Sequence, residues 1–215
     1  MSRDPFWRVE REWPSQTAFI VAGGPSVLQQ DLELLHRRNV IVINSSVYSV
    51  PWADFLYFGD WRWWHEDENR AAVASFRGRI VTTSRLVSED KKVLVCRAAK
   101  PPGLALARDS LMQKWTSLTA TTNLAAHLVG PGGTIVWLGA DGHLAADGRQ
   151  HHYAKPHRWP YRPGCYDKQY DDLVTIIPSL RTMRISLFNA SPGTAWADLA
   201  PVVSLQDMLS ERCAA

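Results

Sequence analysis

Four short apolar runs each end on a small or polar residue. TAFIVA (Thr17–Ala22) runs into Gly23-Gly24-Pro25-Ser26, and VIVI (Val40–Ile43) into Asn44. FLYF (Phe55–Phe58) runs into Gly59-Asp60, and TIVWL (Thr134–Leu138) into Gly139-Ala140-Asp141. None of the four carries a charge, and amphipathic stretches lie between them. Strands that are apolar on both faces belong in a parallel sheet covered by helices on each side. The expected fold is therefore α/β: a single Rossmann-like domain over residues 1–215, with a mostly parallel sheet. In such sheets ligands sit outside the carboxyl ends of the strands. The four polar strand ends should converge there.

The remaining elements follow from periodicity. Leu28, Leu32 and Leu35 fall at helical spacing, and Ser26 with Gln29 reads as a capping box, so a helix is expected over Val27–Arg38. Further helices are expected at Trp61–Phe76, Thr119–Leu128, Lys168–Leu180 and Ser204–Arg212. Further strands are expected at Arg79–Thr83, Lys92–Cys96 and Met183–Leu187.

Composition narrows the function classes. At 215 residues a chain buries roughly 70% of its unfolded surface, so it needs no staples. Apolar runs such as Ala18–Ala22 are far shorter than the ~18 residues that cross a bilayer, and the charged N-terminus is unlike an export signal. A cytoplasmic protein with no membrane partner is expected. Cys96, Cys165 and Cys213 have no CxxC spacing and read as reduced thiols. A net charge of +3 is too mild to imply nucleic-acid binding by itself. The ten tryptophans are unusual, because clustered indoles often form binding walls.

The candidate site residues follow. Gly23, Gly24, Pro25 and Ser26 form a turn that lets a backbone approach a ligand, and the expected helix start behind it would seat a phosphate. The turn is neither GxGxxG nor GxxxxGK[ST]. Asn44 can bond a base, ribose or sugar, or form an Asx turn. Asp60 can bond a sugar hydroxyl or cap a helix, and Trp61, Trp63 and Trp64 can stack on a ring or join the core. No Asp-x-Asp closes a strand, so no metal is expected.

The stretch from Asp141 to Tyr166 is too long for a plain connection, and a lid over about 142–167 is expected. Between Arg149 and Tyr166 it holds no acid. Arg149, Lys155, Arg158 and Arg162 alternate with Tyr153, Trp159, Tyr161 and Tyr166. That mixture suits a phosphate-rich or nucleic-acid acceptor. His143, His151, His152 and His157 gather there too, and a histidine can take the proton of an acceptor hydroxyl. A solvated flap is the plainer reading. A zinc site from Asp141, His151, His152 and His157 matches no familiar spacing. The segment 189–193, NASPG, reads as a turn and then as a further wall of the cleft.

Taken in order, FIVAGGPS, VIVINSS, PWADFLYFGDWRWW, TATTNLAAHL, IVWLGADGH, HHY and FNASPGT resemble a phage and prophage group related to DUF115-like proteins. That group is in turn similar to bacterial sialyltransferases of the GT-42 type. The resemblance runs from Phe6 to Leu209, with TATTN in place of the more usual Ser-Gly-containing helix start. It implies a variant of the GT-A-like glycosyltransferase fold, metal-independent and without a resident cofactor. A sugar nucleotide such as UDP-glucose would be the co-substrate. Carried over, Gly23, Gly24, Pro25, Ser26 and Asn44 would contact the nucleotide, and His152 or His151 would be the base. The residues themselves add Asp60 and Trp61 at the donor, Asp141 beside the base, and Arg149, Tyr153, Lys155, Arg158 and Arg162 facing the acceptor. The acceptor expected first is a 5-hydroxymethylpyrimidine, such as 5-hydroxymethylcytosine, in phage DNA inside an infected cell. The alternatives are a glycan or lipid-linked acceptor, a hydroxymethylpterin diphosphokinase-like enzyme sharing the Gly-Pro-Ser opening, and a non-catalytic nucleotide- or DNA-binding module.

Overall fold

The computed structural model describes residues 5–87, 90, 92–153 and 161–210. The strands are β1 (Thr17–Val21), β2 (Asn39–Ile43), β3 (Phe55–Phe58), β4 (Arg79–Thr82), β5 (Val93–Val95), β6 (Arg97–Ala99), β7 (Ser110–Met112), β8 (Thr134–Leu138) and β9 (Ser186–Asn189). The α-helices are α1 (Trp61–Trp64), α2 (Asp67–Ala74), α3 (Ser117–Val129), α4 (Cys165–Thr182) and α5 (Leu205–Ser210). Seven strands form one sheet in the order β5-β4-β3-β2-β1-β8-β9, and every pairing in it is parallel. The chain has the expected Rossmann-like α/β architecture.

Alternate residues of each strand feed two cores. Ala18, Ile20, Ile41, Tyr57, Ile135 and Trp137 pack under α3 and α4, against Leu124, Leu128, Leu173 and Ile176. Phe19, Val21, Val42, Phe58, Val136 and Leu138 face the other way, against Val27, Leu35, Val47, Trp64, Val73 and Leu205. That second face is covered largely by short turns and helices.

Several local expectations are corrected. The helix expected over Val27–Arg38 is two 3-10 turns, Pro25–Gln29 and Leu32–Leu35. Gln30 between them is extended and donates to the Ala190 carbonyl, and Asp31 caps the second turn at the Glu33 N–H. These local bonds compete with a continuous helix. Leu28 consequently points to solvent while Leu35 is buried. Trp61–Phe76 splits into α1 and α2 because the buried Asn69 amide takes the Trp63 carbonyl, which a continuous helix would use. The strand expected at Met183–Leu187 starts later, at Ser186, because α4 runs to Thr182 and Arg184 takes a left-handed turn. β6 and β7 form a small second sheet that the sequence pattern did not reveal. Among the described residues, no helix is long and apolar enough to cross a membrane. Cys96 and Cys165 are free thiols. Cys213 lies outside the described residues.

Candidate functional site

From β1 the sheet grows in one direction through β2 to β5, and β8 and β9 lie on its other side. A crevice at such a reversal opens outside the carboxyl ends of the two central strands. Here these are β1 and β8. Gly23 and Gly24 after β1, Asn44 after β2 and residues 139–143 after β8 line one cleft of about 280 Å³. Its outer walls are the first turn of α3 with Trp115, the 150–153 segment, and Tyr166, Gln169 and Trp196. Three of the four polar strand ends therefore meet. The fourth, Gly59-Asp60, lines a neighbouring cavity of about 480 Å³ with Trp61, Arg62 and residues 113–117. Trp115, Thr116 and Ser117 form a wall common to both.

The phosphate seat expected at Gly23-Gly24-Pro25-Ser26 is not there. Pro25 opens a 3-10 turn of five residues, and Ser26 caps nothing. The Asp141 carboxylate instead accepts the Ser26 backbone N–H at 2.8 Å and the Ser26 hydroxyl through its other oxygen. An internal carboxylate thus takes the Ser26 donors that a bound phosphate would have used. Burial holds the Asp141 carboxyl above the usual carboxylate range, although both Ser26 bonds pull the other way. Asp141 lines the cleft as a brace. Pro25 and Ser26 are buried and lie behind it. Gly24 donates its N–H to the Gly139 carbonyl at 2.9 Å, and a Cβ there would lie 2.7 Å from Asp141 Cγ.

The 151–153 segment lies directly over this turn. The Gly23 carbonyl accepts the His152 backbone N–H at 3.0 Å and faces His151 Nδ1 at 3.3 Å. A carbonyl only accepts, so His151 Nδ1 carries the hydrogen, and Nε2 of the neutral ring holds the lone pair a base needs. His151 lines the cleft, stacked on Tyr153 at 4.9 Å.

His152, the other candidate base, is differently placed. Its ring is buried, with Nε2 3.1 Å from Ser46 Oγ and Nδ1 3.3 Å from Ser49 Oγ. Ser46 donates its own hydrogen to the Ala22 carbonyl, so it accepts from Nε2–H, and Nδ1 accepts from Ser49. Burial pushes the His152 imidazolium down to about 4. This ring anchors the segment and does not line the cleft. Ser45 serves the same end: it accepts from Trp63 Nε1 at 3.0 Å and bonds the Tyr153 hydroxyl.

Asn44 stands alone among its neighbours. It sits in a left-handed turn at φ +50°, it lines the cleft, and its buried Oδ1 has no hydrogen-bond partner among the described residues.

Other expectations find plainer roles. Asp60 caps α1 through the Arg62 N–H and grips the Arg62 guanidinium at 2.6 Å. Trp63 and Trp64 stack on Phe58, while Trp61 is 42% exposed in the second cavity. Arg149 turns back onto Asp147 at 2.6 Å, and Arg162 is exposed; neither lines the cleft. Lys155, His157, Arg158 and Trp159 lie outside the described residues. His143 is held between the Leu144 and Gly193 carbonyls. Among the described residues, no group of three or more His, Cys, Asp or Glu side chains is placed to hold a metal ion.

Tyr166, expected among the lid aromatics, lines the cleft, whereas Trp115, Gln169 and Trp196 are cleft residues that the sequence pattern does not point to. Trp115 had one available signal: Thr116 is an N-cap accepting the Leu118 N–H, so α3 begins two residues before the expected Thr119. The buried Asp172 of α4 accepts the Trp115 N–H at 2.5 Å and fixes that corner. The 189–193 turn is a brace more than a wall. Ser191 Oγ accepts the Ala140 N–H at 2.8 Å, and Asn189 and Thr194 both donate to the Ala140 carbonyl.

No family model and no curated protein matches this chain. Among solved structures, a short-chain dehydrogenase from Oenococcus oeni aligns over 97% of this chain and 89% of its own, at 10% identity and a TM-score of 0.26. That is a weak likeness.

Proposed function

We propose that this chain is a glycosyltransferase that binds a sugar nucleotide in the cleft between β1 and β8 and passes the sugar to a hydroxyl acceptor without a resident metal. The observation that carries the reading is the pairing, in one cleft, of the unpartnered Asn44 Oδ1 with the His151 ring. An amide oxygen left buried without a hydrogen bond costs about 1–3 kcal/mol unless a ligand donor reaches it. A ribose or sugar hydroxyl supplies such a donor.

In this reading the acceptor oxygen bonds to the anomeric carbon as the bond from that carbon to the diphosphate breaks. The hydroxyl proton passes to His151 Nε2, and the nucleoside diphosphate leaves. The first turn of α3, at the positive end of its backbone dipole, offsets the leaving charge in place of the turn after β1. The acceptor proposed first is a 5-hydroxymethylpyrimidine in DNA.

The test is to incubate the protein with hydroxymethylcytosine or hydroxymethyluracil DNA and a panel of sugar nucleotides, then to digest and weigh the nucleosides. A hexose-sized mass gain is expected with one donor. No gain with any donor, on DNA or on glycan and lipid-linked acceptors, overturns the transferase reading.

A further inference from the structure

The cavity beside the cleft has a composition of its own. Two exposed indoles line it, Trp61 at 42% and Trp115 at 53%. Isolated exposed apolar side chains are common on any surface. Two tryptophans in one concavity of about 480 Å³ form a built surface, and the size falls in the usual range for ligand sites.

The floor is fixed. The Gln113 amide oxygen accepts from the Tyr57 and Thr83 hydroxyls, and Gly59 leaves room for the Gln113 amide, which a Cβ would displace.

Lysines stand on and beside the cavity wall, and the nearby Asp172 carboxylate is engaged by the Trp115 N–H. Lys114 is exposed on its wall, and Lys168 holds its ammonium 4.8 Å from the Trp115 ring centroid. α3 begins on the same wall. The acid lining it, Asp60, is already gripped by Arg62.

Flat rings stack on indoles whatever their identity, and base–aromatic stacking contributes about 1–3 kcal/mol per base. A neutral saccharide would also cover an indole, but it has no use for the surrounding cations. A phosphate does.

We propose that this second cavity binds a nucleotide unit of a single-stranded nucleic acid, with its base on Trp61 or Trp115 and its phosphate beside Lys114. The shared wall at residues 115–117 sets that nucleotide next to the β1–β8 cleft. In the role of acceptor site the inference rests on the transferase reading, but the binding itself is measured without turnover.

The experiment is fluorescence anisotropy with a short labelled oligothymidylate, repeated over a range of salt. The parent protein is expected to bind. Whichever of Trp61→Ala and Trp115→Ala removes the stacking ring should weaken binding by about 5- to 150-fold, the stacking range converted at 1.4 kcal/mol per decade. Lys114→Gln, at an exposed position that leaves the core intact, should lower the slope of log affinity against log salt by about 0.7. No binding by the parent overturns the proposal. So do unchanged affinities in all three variants, or equal competition by a neutral oligosaccharide. The two readings fail separately. Oligonucleotide binding with no sugar transfer removes the transferase and keeps this site. Sugar transfer to DNA unaffected by the tryptophan variants removes this site and keeps the transferase.

Discussion

The Asp141 carboxylate, at the end of β8, accepts both the backbone N–H and the hydroxyl of Ser26, in the turn after β1. The two strands that flank the cleft are thereby cross-braced at their open ends. The pair also commits both Ser26 donors of that turn to a side chain of the protein itself. Asp141→Ala leaves two buried donors unpaired, which costs about 1–3 kcal/mol for each. Chemical denaturation should show a loss of that order. A midpoint equal to the parent's would mean that the brace is immaterial.

The adjacent histidines should separate cleanly under mutation. His151→Ala removes the ring on the cleft, so turnover should fall by about 10²–10⁴ with donor affinity within a few-fold of the parent. His152→Ala empties the buried Ser46–Ser49 niche, so its main effect should be on thermal stability. Single-turnover kinetics and calorimetry on both variants check this. Equal turnover in parent and His151→Ala removes the base.

His152 also makes stability depend on pH. Its folded value, about 4, lies below the ordinary 6.5, so between these values the unfolded chain binds the extra proton. Stability from this group is fully present above pH 6.5 and is lost as pH falls toward 4. At about 1.4 kcal/mol per pH unit the window removes about 3 kcal/mol. Denaturation at several pH values should show the loss, and His152→Gln should flatten it. An unchanged slope in that variant assigns the effect elsewhere.

Gly24→Ala tests the close approach of the two turns. Its Cβ would meet the Gly139 carbonyl and the Asp141 carboxyl carbon, both held by hydrogen bonds. Overpacking of this kind typically costs about 1–3 kcal/mol. A lower melting temperature is expected, and an unchanged one would mean that the turns part freely.

Asn44→Gly removes the orphaned amide and keeps the left-handed backbone that Asn44 adopts at φ +50°. Stability should hold or rise slightly, because glycine adopts this conformation without strain. Donor affinity should fall by about tenfold, the worth of one hydrogen bond. Isothermal titration with the active sugar nucleotide measures it. Unchanged affinity would mean that Asn44 does not touch the donor.

The sheet was legible because its strands are apolar on both faces, a pattern that only burial between layers explains. β1, β2, β3 and β8 lie within a residue of their expected bounds. The helix expected after β1 is two 3-10 turns for an equally physical reason. Its leucines have helical spacing, but Ser26 and Gln30 are committed to partners 115 and 160 residues away. The Thr116 cap marks the start of α3 but not the two cavities that Trp115 divides, which only the fold brings together.

Read as a string, the residues determine a parallel α/β sheet and mark which positions end its strands, because periodicity and glycine chemistry are local properties. Only the folded chain decides which of those positions bind and which brace. His151 and His152 are neighbours in sequence, yet one ring lines the cleft and the other is buried between two serines. That division depends on solvent access and on partners about a hundred residues distant, and no local pattern encodes either.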